Sequence, residues 1–229
     1  MPDTTPPESD EQPSRLAQRR RMIEEQIHAR HVDDEAVLSA MEAIPREHFL
    51  PQELWDQAYA DSALGIGEGQ TISQPYIVAY MTAQLSVTPD CRVLEIGTGT
   101  GYQTAILAQL AREVYSIERI RSLHVRAADA LARLGATNVH LTCGDGTVGW
   151  EKNAPYDRIM VTAGAPSVSP LLTRQLVDGG ILIAPIGGLS SQRIVRVERR
   201  ESRTTETPLL PCRFVKLIGK EGWDPGGED

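Results

Sequence analysis

The 229-residue sequence contains few cysteines, few aromatic residues and no long apolar segment. Its three cysteines, Cys91, Cys143 and Cys212, stand far apart, without the spacing of a zinc site or the pairing of a disulfide framework. No stretch of about 18 residues is continuously apolar, which argues against a membrane-spanning helix. The N-terminus also lacks the apolar core of a secretory leader. We therefore expect a metal-free cytoplasmic protein with no membrane partner.

Positive charge is scarce as well. Lys and Arg number 23 against 31 Asp and Glu, so the formal net charge is −8. Nucleic-acid binding requires a basic surface that neutralises phosphates, so this balance argues against a nucleic-acid partner. The 41% hydrophobic residues and 24% charged residues are typical of a globular enzyme, and we expect a monomer.

The composition divides the chain into four regions. Residues 1–14 contain four prolines among acidic and small polar residues, so we expect a disordered tail. Residues 15–88 combine helical patterns with a glycine-rich loop at 61–75. The main α/β domain spans 89–220, and 221–229 is predicted to be a flexible C-terminal tail.

Strands and helices alternate along the main domain. Alternation of this kind predicts a doubly wound, mostly parallel sheet with right-handed crossovers. The last two strands have no helix between them, which predicts that they pair antiparallel at one edge of the sheet. Residues 199–207 are predicted to be an exposed turn. The predicted strands cover 92–96, 113–117, 139–142, 158–162, 180–186, 193–199 and 214–218, and the predicted helices cover 14–30, 33–44, 75–85, 102–111, 121–134 and 169–177.

A glycine turn follows the first strand of this domain. Gly97, Gly99 and Gly101 have the spacing G-x-G-x-G, whereas dinucleotide enzymes use G-x-G-x-x-G to approach a pyrophosphate. Tyr102 stands where the third glycine of that pattern would be. A cofactor with an adenosine but no phosphate, S-adenosylmethionine, fits this turn better, because glycine leaves room beside the backbone.

Two acidic residues follow the next two strands. Glu118 ends the second strand, where a carboxylate can bind both ribose hydroxyls, and Asp145 after the third strand is placed to bind the adenine amino group. Glu95, inside the first strand, either reaches the amino group of the cofactor or satisfies backbone donors. Three unrelated turns are the alternative interpretation. The predicted cofactor-binding residues are Glu95, Gly97, Thr98, Gly99, Gly101, Glu118, Asp145 and Gly146.

Two motifs that are missing from the sequence restrict which chemical group can accept the methyl group. The stretch after the fourth strand, 161–166, reads VTAGAP and lacks the Asn/Asp-Pro-Pro-Tyr/Phe motif of enzymes that methylate base or amide nitrogens. The Pro-Cys pair of cytosine C5 chemistry is missing too. The acceptor is therefore expected to be neither an amide nitrogen nor a base carbon.

Five motifs resemble one family over about residues 20–220. They are IPREHF at 44–49, GQTISQP at 69–75, VLEIGTGTGY at 93–102, GDG at 144–146 and RFV at 213–215. On these motifs the chain resembles the protein-L-isoaspartate (D-aspartate) O-methyltransferases. The segment with Thr-Ile-Ser-Gln-Pro is far more diagnostic than the glycine turn, which many nucleotide-type sites share.

The resemblance implies both a fold and a reaction. The fold would be the Rossmann-like class I S-adenosylmethionine-dependent methyltransferase fold with added N-terminal helices. The enzyme would methylate the α-carboxylate of L-isoaspartyl and D-aspartyl residues in damaged proteins, and these proteins would be its partners. The resulting methyl ester would then close to a succinimide. By the same resemblance, Ser73 is the catalytic residue, and Thr71 and Ile72 line the substrate pocket.

Alternatives remain for the serine and for the function. Ser73 precedes Pro75 and would also suit the N-cap of a helix. A nicotinamide-dependent oxidoreductase is a second hypothesis for the chain, although it would need a glycine at position 102. A non-catalytic protein-binding module with a relic cofactor pocket is a third.

Overall fold

The N-terminal part of the chain is helical in the computed structural model, which describes residues 13–201, 203–224 and 226. Helix α1 (Pro13–Met22) continues into a π-helical turn (Ile23–Ile27) and a 3-10 turn (His28–Arg30). The predicted helix at 14–30 is therefore α-helical only in its first part. All but the last two residues of the predicted tail at 1–14 lie outside the described residues.

Helix α2 (Glu35–Ala43) is capped at its N-terminus by Asp34. The carboxylate of Asp34 accepts hydrogen bonds from the backbone of Ala36 and Val37, both at 3.1 Å, and so satisfies two of the N–H groups that a helix start leaves unpaired. Two 3-10 turns follow, at Arg46–Phe49 and Gln52–Gln57. These turns carry the chain from the helices towards the glycine-rich loop.

The loop predicted as irregular at 61–75 contains a small antiparallel sheet. Strands β1 (Leu64–Gly67) and β2 (Gln70–Ile72) pair with each other, and we call the segment Leu64–Ile72 the hairpin. Glycine is required at its tip, because Gly67 and Gly69 have φ of +88° and +67°. Helix α3 (Pro75–Leu85) follows the hairpin after Ser73 and Gln74.

Seven strands form the central sheet in the order β5-β4-β3-β6-β7-β8-β9. The first five in that order run parallel, and β7–β8 and β8–β9 pair antiparallel, which confirms the predicted sheet with its antiparallel edge. The strands are β3 (Arg92–Ile96), β4 (Glu113–Glu118), β5 (Val139–Cys143), β6 (Tyr156–Val161), β7 (Leu176–Gly187), β8 (Gln192–Arg200) and β9 (Arg203–Cys212), and the helices of the domain are α4 (Tyr102–Leu110), α5 (Arg121–Arg133) and α6 (Pro170–Arg174).

Apolar side chains cover both faces of this sheet. Val93 of β3 packs in a buried cluster with Met81 of α3 and Leu107 of α4. The next residue, Leu94, points to the opposite face and belongs to a cluster that includes Leu172 of α6. Burial on both faces explains why β3 reads as a short apolar run rather than as an alternating one.

The end of the chain differs from the prediction in two ways. Residues 199–207, predicted as an exposed turn, belong largely to β8, which ends at Arg200, and to β9, which begins at Arg203. Residues 214–218, predicted as the last strand, make only single bridges, Gly164–Lys216 and Ile218–Trp223. The prediction was wrong because β9 is mostly exposed and lacks apolar alternation, whereas 214–218 is apolar for another reason: it lines a pocket.

Helix α6 is also shorter than the predicted helix at 169–177. Ser169 caps it, and Pro170 occupies its first turn, as is favourable at a helix start. The helix ends at Arg174 because Leu176 already pairs with Tyr156 of β6. None of the helices in the described part of the chain has the length and apolar character needed to cross a membrane.

Candidate active site

A pocket opens where the strand order reverses, at the carboxyl ends of β3 and β6. Strand β4 lies on one side of β3 and β6 on the other. The two ends are held together, since the backbone N–H of Thr162 donates to the carbonyl of Ile96 at 3.0 Å. Ligands of open α/β sheets bind in the crevice at such a switch point.

The hairpin and α3 close the opposite side of this pocket. The lining therefore joins two segments that are far apart in sequence, the one around Ser73 and the glycine turn. Of the predicted site residues, those that line the pocket are Thr71, Ile72, Ser73, Gly97, Thr98, Gly99, Glu118 and Gly146. Glu95, Gly101 and Asp145 are outside this lining.

The three glycines of the turn have different surroundings. Gly97, with φ of +98°, lies so close to Thr162 that a Cβ would be 2.3 Å from its hydroxyl oxygen. Gly99, with φ of +56°, has nothing within 4 Å of the Cβ position, so the turn leaves open space beside its backbone. A Cβ on Gly101 would lie 3.4 Å from Ala127 and Leu131 of α5, so this glycine serves helix packing. Only the first two border the pocket.

Glu118 is buried at the end of β4 and is oriented by the backbone. One carboxylate oxygen accepts from the N–H of Gly99 at 2.8 Å, and the other accepts from the N–H of Ile120 at 2.9 Å. Each oxygen has two lone pairs, so the fixed carboxylate can accept further hydrogen bonds, as two ribose hydroxyls require. The open space beside Gly99 and this acceptor pair fit S-adenosylmethionine.

Glu95 lies behind the pocket and is completely buried. One of its oxygens accepts from the hydroxyls of Thr104 at 2.5 Å and Ser116 at 2.6 Å, while the other has no hydrogen-bond partner in the described part of the chain. Burial raises the pKa of this carboxyl to about 7, against the lowering effect of the two hydroxyls. Its partners are hydroxyl groups, so the predicted alternative of backbone donors was wrong.

A chain of hydroxyls connects Glu95 with the pocket. The Ser116 hydroxyl, which donates to Glu95, lies 2.6 Å from the hydroxyl of Thr98, a residue of the pocket lining. The carboxyl group can therefore influence the glycine turn through two side chains. Whether it also contacts the cofactor stays a prediction.

Asp145 holds the C-terminal segment in place. Its carboxylate accepts from the backbone and hydroxyl of Thr147, at 2.9 and 2.6 Å, and from the N–H of Lys220 at 2.9 Å. Burial raises the pKa of Asp145, but the hydrogen bonds from Lys220 and Thr147 outweigh burial and lower it overall. Within the predicted flexible tail, Trp223 is anchored too, because its ring N–H donates to the carbonyl of Gly164 at 2.9 Å.

Sequence reasoning missed several residues that line the pocket. Thr162 follows β6 directly, and its hydroxyl oxygen lies 2.9 and 2.6 Å from the carbonyl oxygens of Ile96 and Gly97, so its single proton can be donated to either carbonyl. Its position after the fourth strand, on the rim that the sheet topology predicts for ligands, was the signal that could have identified it. The segment 214–218 forms another wall of the pocket, and no motif pointed to that role.

Ser73 is half-buried in the pocket, and its hydroxyl makes no hydrogen bond to any described residue. The N-cap of α3 is Gln74, so the interpretation of Ser73 as a helix cap was wrong. The main chain of Ser73 is held instead, since its carbonyl accepts from Arg46 at 2.8 Å. The hydroxyl is therefore available to a ligand.

Within the described ranges, no three His, Cys, Asp or Glu side chains cluster as metal ligands would. The pocket lining combines hydroxyls and backbone groups with the oriented carboxylate of Glu118 and two basic side chains, Arg119 and Lys216. Groups of these kinds can bind and orient a polar ligand.

Residues 17–222 match the sequence profile of the family described as protein-L-isoaspartate(D-aspartate) O-methyltransferase. The chain is 52% identical over 212 residues to protein-L-isoaspartate O-methyltransferase 2 of Geotalea uraniireducens, which covers 92% of this chain and 97% of the relative. It is 52% identical over 220 residues to protein-L-isoaspartate O-methyltransferase 1 of Rhodopseudomonas palustris, which covers 95% and 90%. Each alignment spans the helical region as well as the sheet.

Solved structures show the same likeness. A protein-L-isoaspartate O-methyltransferase superposes with a TM-score of 0.82 at 32% identity, covering 89% of this chain and 67% of that chain. A structure from Plasmodium falciparum, of a protein-L-isoaspartate O-methyltransferase in complex with S-adenosyl-L-homocysteine, superposes with a TM-score of 0.78 at 23% identity, covering 87% and 98%. The second likeness is one of fold.

Proposed function

The chain belongs to the protein-L-isoaspartate(D-aspartate) O-methyltransferase family, and from that premise we propose how its residues act. It is an S-adenosylmethionine-dependent enzyme that methylates the carboxylate of isoaspartyl residues in damaged proteins, which starts their repair through a succinimide. One observation supports the assignment of roles: the free hydroxyl of Ser73 shares a pocket with the glycine turn and Glu118. Membership of this family contradicts the alternative hypothesis of a nicotinamide-dependent oxidoreductase.

Four residues would hold the cofactor. Gly97 and Gly99 expose backbone to it, Thr98 lies between them in the lining, and Glu118 presents two oriented oxygens to the ribose. When bound, S-adenosylmethionine supplies a methyl group activated by a positively charged sulfur. The roles of Glu95, Gly101, Asp145 and Gly146 in binding it stay predictions.

The acceptor requires little catalytic help from the protein. A carboxylate is ionised at neutral pH, since the ordinary pKa of such groups is about 4, so no strong base is needed. The Ser73 hydroxyl donates a hydrogen bond to one carboxylate oxygen and leaves the other free to attack. Thr71 and Ile72 flank the acceptor and help to exclude water. Alignment of the reacting groups is then the main contribution of the protein.

The first experiment measures methyl transfer from labelled S-adenosylmethionine to an isoaspartyl peptide and to its aspartyl twin. We expect labelling of the isoaspartyl peptide only. Labelling of both peptides alike, or of neither, would contradict the proposed substrate.

The same assay tests Ser73. Ser73→Ala is expected to lower kcat about 10- to 100-fold, because the carboxylate loses its orienting donor. The affinity for S-adenosylhomocysteine, measured by calorimetry, should change less than about 2-fold. Ser62→Ala, an exposed serine outside the pocket lining, is the matched control and should leave both quantities unchanged. A collapse of cofactor binding in Ser73→Ala would assign the serine to the cofactor pocket instead.

We further propose a cytoplasmic monomer without a nucleic-acid partner. The three free cysteines support a reducing compartment, and the net charge of −8 supports the lack of nucleic-acid binding. Light scattering coupled to size exclusion tests the monomer, and a mass of twice 25.1 kDa would contradict it.

A further inference from the structure

An arginine is completely buried beside the active site. Arg46 begins the 3-10 turn after α2 and has 0% of its surface exposed. Its Nε donates to the carbonyl of Ala58 and its Nη2 to the carbonyl of Ser73, both at 2.8 Å. Burial lowers the pKa of the guanidinium to about 10, so it is still a cation at neutral pH.

This buried charge lacks a carboxylate partner in the described part of the chain. No described Asp or Glu forms an ion pair with Arg46, and the neighbouring Glu47 accepts a hydrogen bond from Tyr59 instead. The Nη1 atom has no hydrogen-bond partner among the residues that the structure describes. A buried, unpaired cation is costly, and apolar residues of similar volume commonly stabilise a core as well or better. The hydrogen bonds that hold this cation go to two backbone carbonyls, and one of them is the carbonyl of Ser73.

The guanidinium connects the two halves of the pocket. Its carbon lies 4.9 Å from the ring centroid of Tyr102, a cation–π distance. Tyr102 is the first residue of α4, directly after the glycine turn, and its side chain is also buried and lines the pocket. Arg46 thus contacts the segment that carries Ser73 and the helix that begins at the cofactor turn.

We propose that Arg46 is a positioning residue for methyl transfer, which holds the Ser73 main chain at a fixed place relative to Tyr102 and the glycine turn. The proposal rests on the proposed role of Ser73. The carbonyl carbon that carries this oxygen is bonded to the Cα of Ser73, so the hydrogen bond restrains the point from which the Ser73 side chain projects into the pocket. A displacement of about 1 Å at such a group can cost on the order of 100-fold in rate.

The test uses Arg46→Lys, which retains the charge but lacks the planar fork that reaches two carbonyls. We expect kcat for the isoaspartyl peptide to fall about 10- to 100-fold, while the affinity for S-adenosylhomocysteine changes less than about 3-fold. In a Ser73→Ala background the same substitution should lower kcat less than about 2-fold further, because Arg46 acts through Ser73. Independent, multiplicative losses would overturn the proposal.

Arg92→Lys is the matched control. Arg92 also donates to a backbone carbonyl, that of Pro155 at 2.9 Å, and also lies over a tyrosine ring, Tyr115, at 5.1 Å. It begins β3, at the end of the strand opposite the pocket. Its substitution should cost stability without changing kcat. A fall in kcat equal to that of Arg46→Lys would overturn the proposal.

The possible failures are distinguishable. If the unmodified enzyme does not methylate the isoaspartyl peptide, the proposed function fails. If Ser73→Ala lowers kcat and Arg46→Lys does not, only the positioning role fails. If Arg46→Lys lacks native circular dichroism at 25 °C, the guanidinium is required by the fold as a whole, and the positioning role is overturned too.

Discussion

Replacement of Glu95 by Gln should flatten the dependence of stability on pH in the acidic to neutral range. The pKa of Glu95 rises from its ordinary value of 4.5 to about 7 because the carboxyl group is fully buried. Below pH 4.5 the group is protonated in both the folded and the unfolded chain. Between 4.5 and about 7 the unfolded chain releases its proton while the folded chain retains it, so the free energy of unfolding falls as pH rises.

The expected size of this effect follows from the two pKa values. One pH unit corresponds to about 1.4 kcal/mol, so the shift from 4.5 to about 7 amounts to about 3 kcal/mol of stability lost by neutral pH. The substitution also has a pH-independent cost. The atom that replaces the unpartnered oxygen becomes an amide NH₂ without an acceptor, which costs about 1–3 kcal/mol. The effect of the pKa shift is therefore seen in the slope of the unfolding free energy against pH and not in its value at one pH.

Urea unfolding of the cofactor-free enzyme at several pH values between about 4.5 and 7.5 measures this slope. The difference in unfolding free energy between Glu95→Gln and the unmodified protein should shift by about 3 kcal/mol in favour of the variant as pH rises. Glu198→Gln is the control. Hydrogen bonds from Arg196 lower the pKa of Glu198, so its difference curve should be flat near neutral pH and change only in acid. A constant difference for Glu95→Gln would refute the buried, neutral carboxyl group.

Three further predictions concern the pocket and the C-terminal segment that Asp145 holds. Glu118→Gln should weaken S-adenosylhomocysteine binding about 10-fold by calorimetry, because one oriented acceptor becomes a donor; an unchanged affinity would contradict its ribose role. Gly97→Ala should cost more in urea unfolding than Gly135→Ala, by about 1–3 kcal/mol, because both have positive φ but only Gly97 would clash with Thr162. Equal costs would show that the turn relaxes. Asp145→Asn should increase proteolytic cleavage of the segment after 218, because it weakens the hydrogen bonds that hold this segment; an unchanged cleavage rate would contradict that role.

The sheet could be predicted well from sequence where burial dictates the pattern. β3 is exact at Arg92–Ile96, because residues buried on both faces leave a short apolar run between turns. β9 could not be found in this way. Its sequence, RTTETPLLPC, is exposed along most of its length, and only backbone pairing with β8 makes it a strand. A strand that is held only by backbone hydrogen bonds does not need the alternation of apolar and polar residues by which strands are predicted from a sequence.

The motifs of the site could be predicted from the sequence, but the contacts between its side chains could not. Ser73 and Gly99 meet in one pocket although 26 positions of sequence separate them, as the motifs and the rim argument implied. The contacts of Glu95 and Arg46 could not be foreseen. Both depend on partners in other elements, the hydroxyls of Thr104 and Ser116 and the carbonyls of Ala58 and Ser73, which only tertiary packing brings near.

The outer border of the sheet has a consequence for an enzyme that handles damaged chains. β9 pairs with β8 on one side and with no other described strand. Unpaired strand borders recruit other extended chains into mixed sheets and so promote aggregation. Pro208 and Pro211 remove two N–H donors from β9, and Arg203 and Glu206 add charge. At this edge the enzyme therefore offers the damaged proteins that it methylates a poor template for co-aggregation.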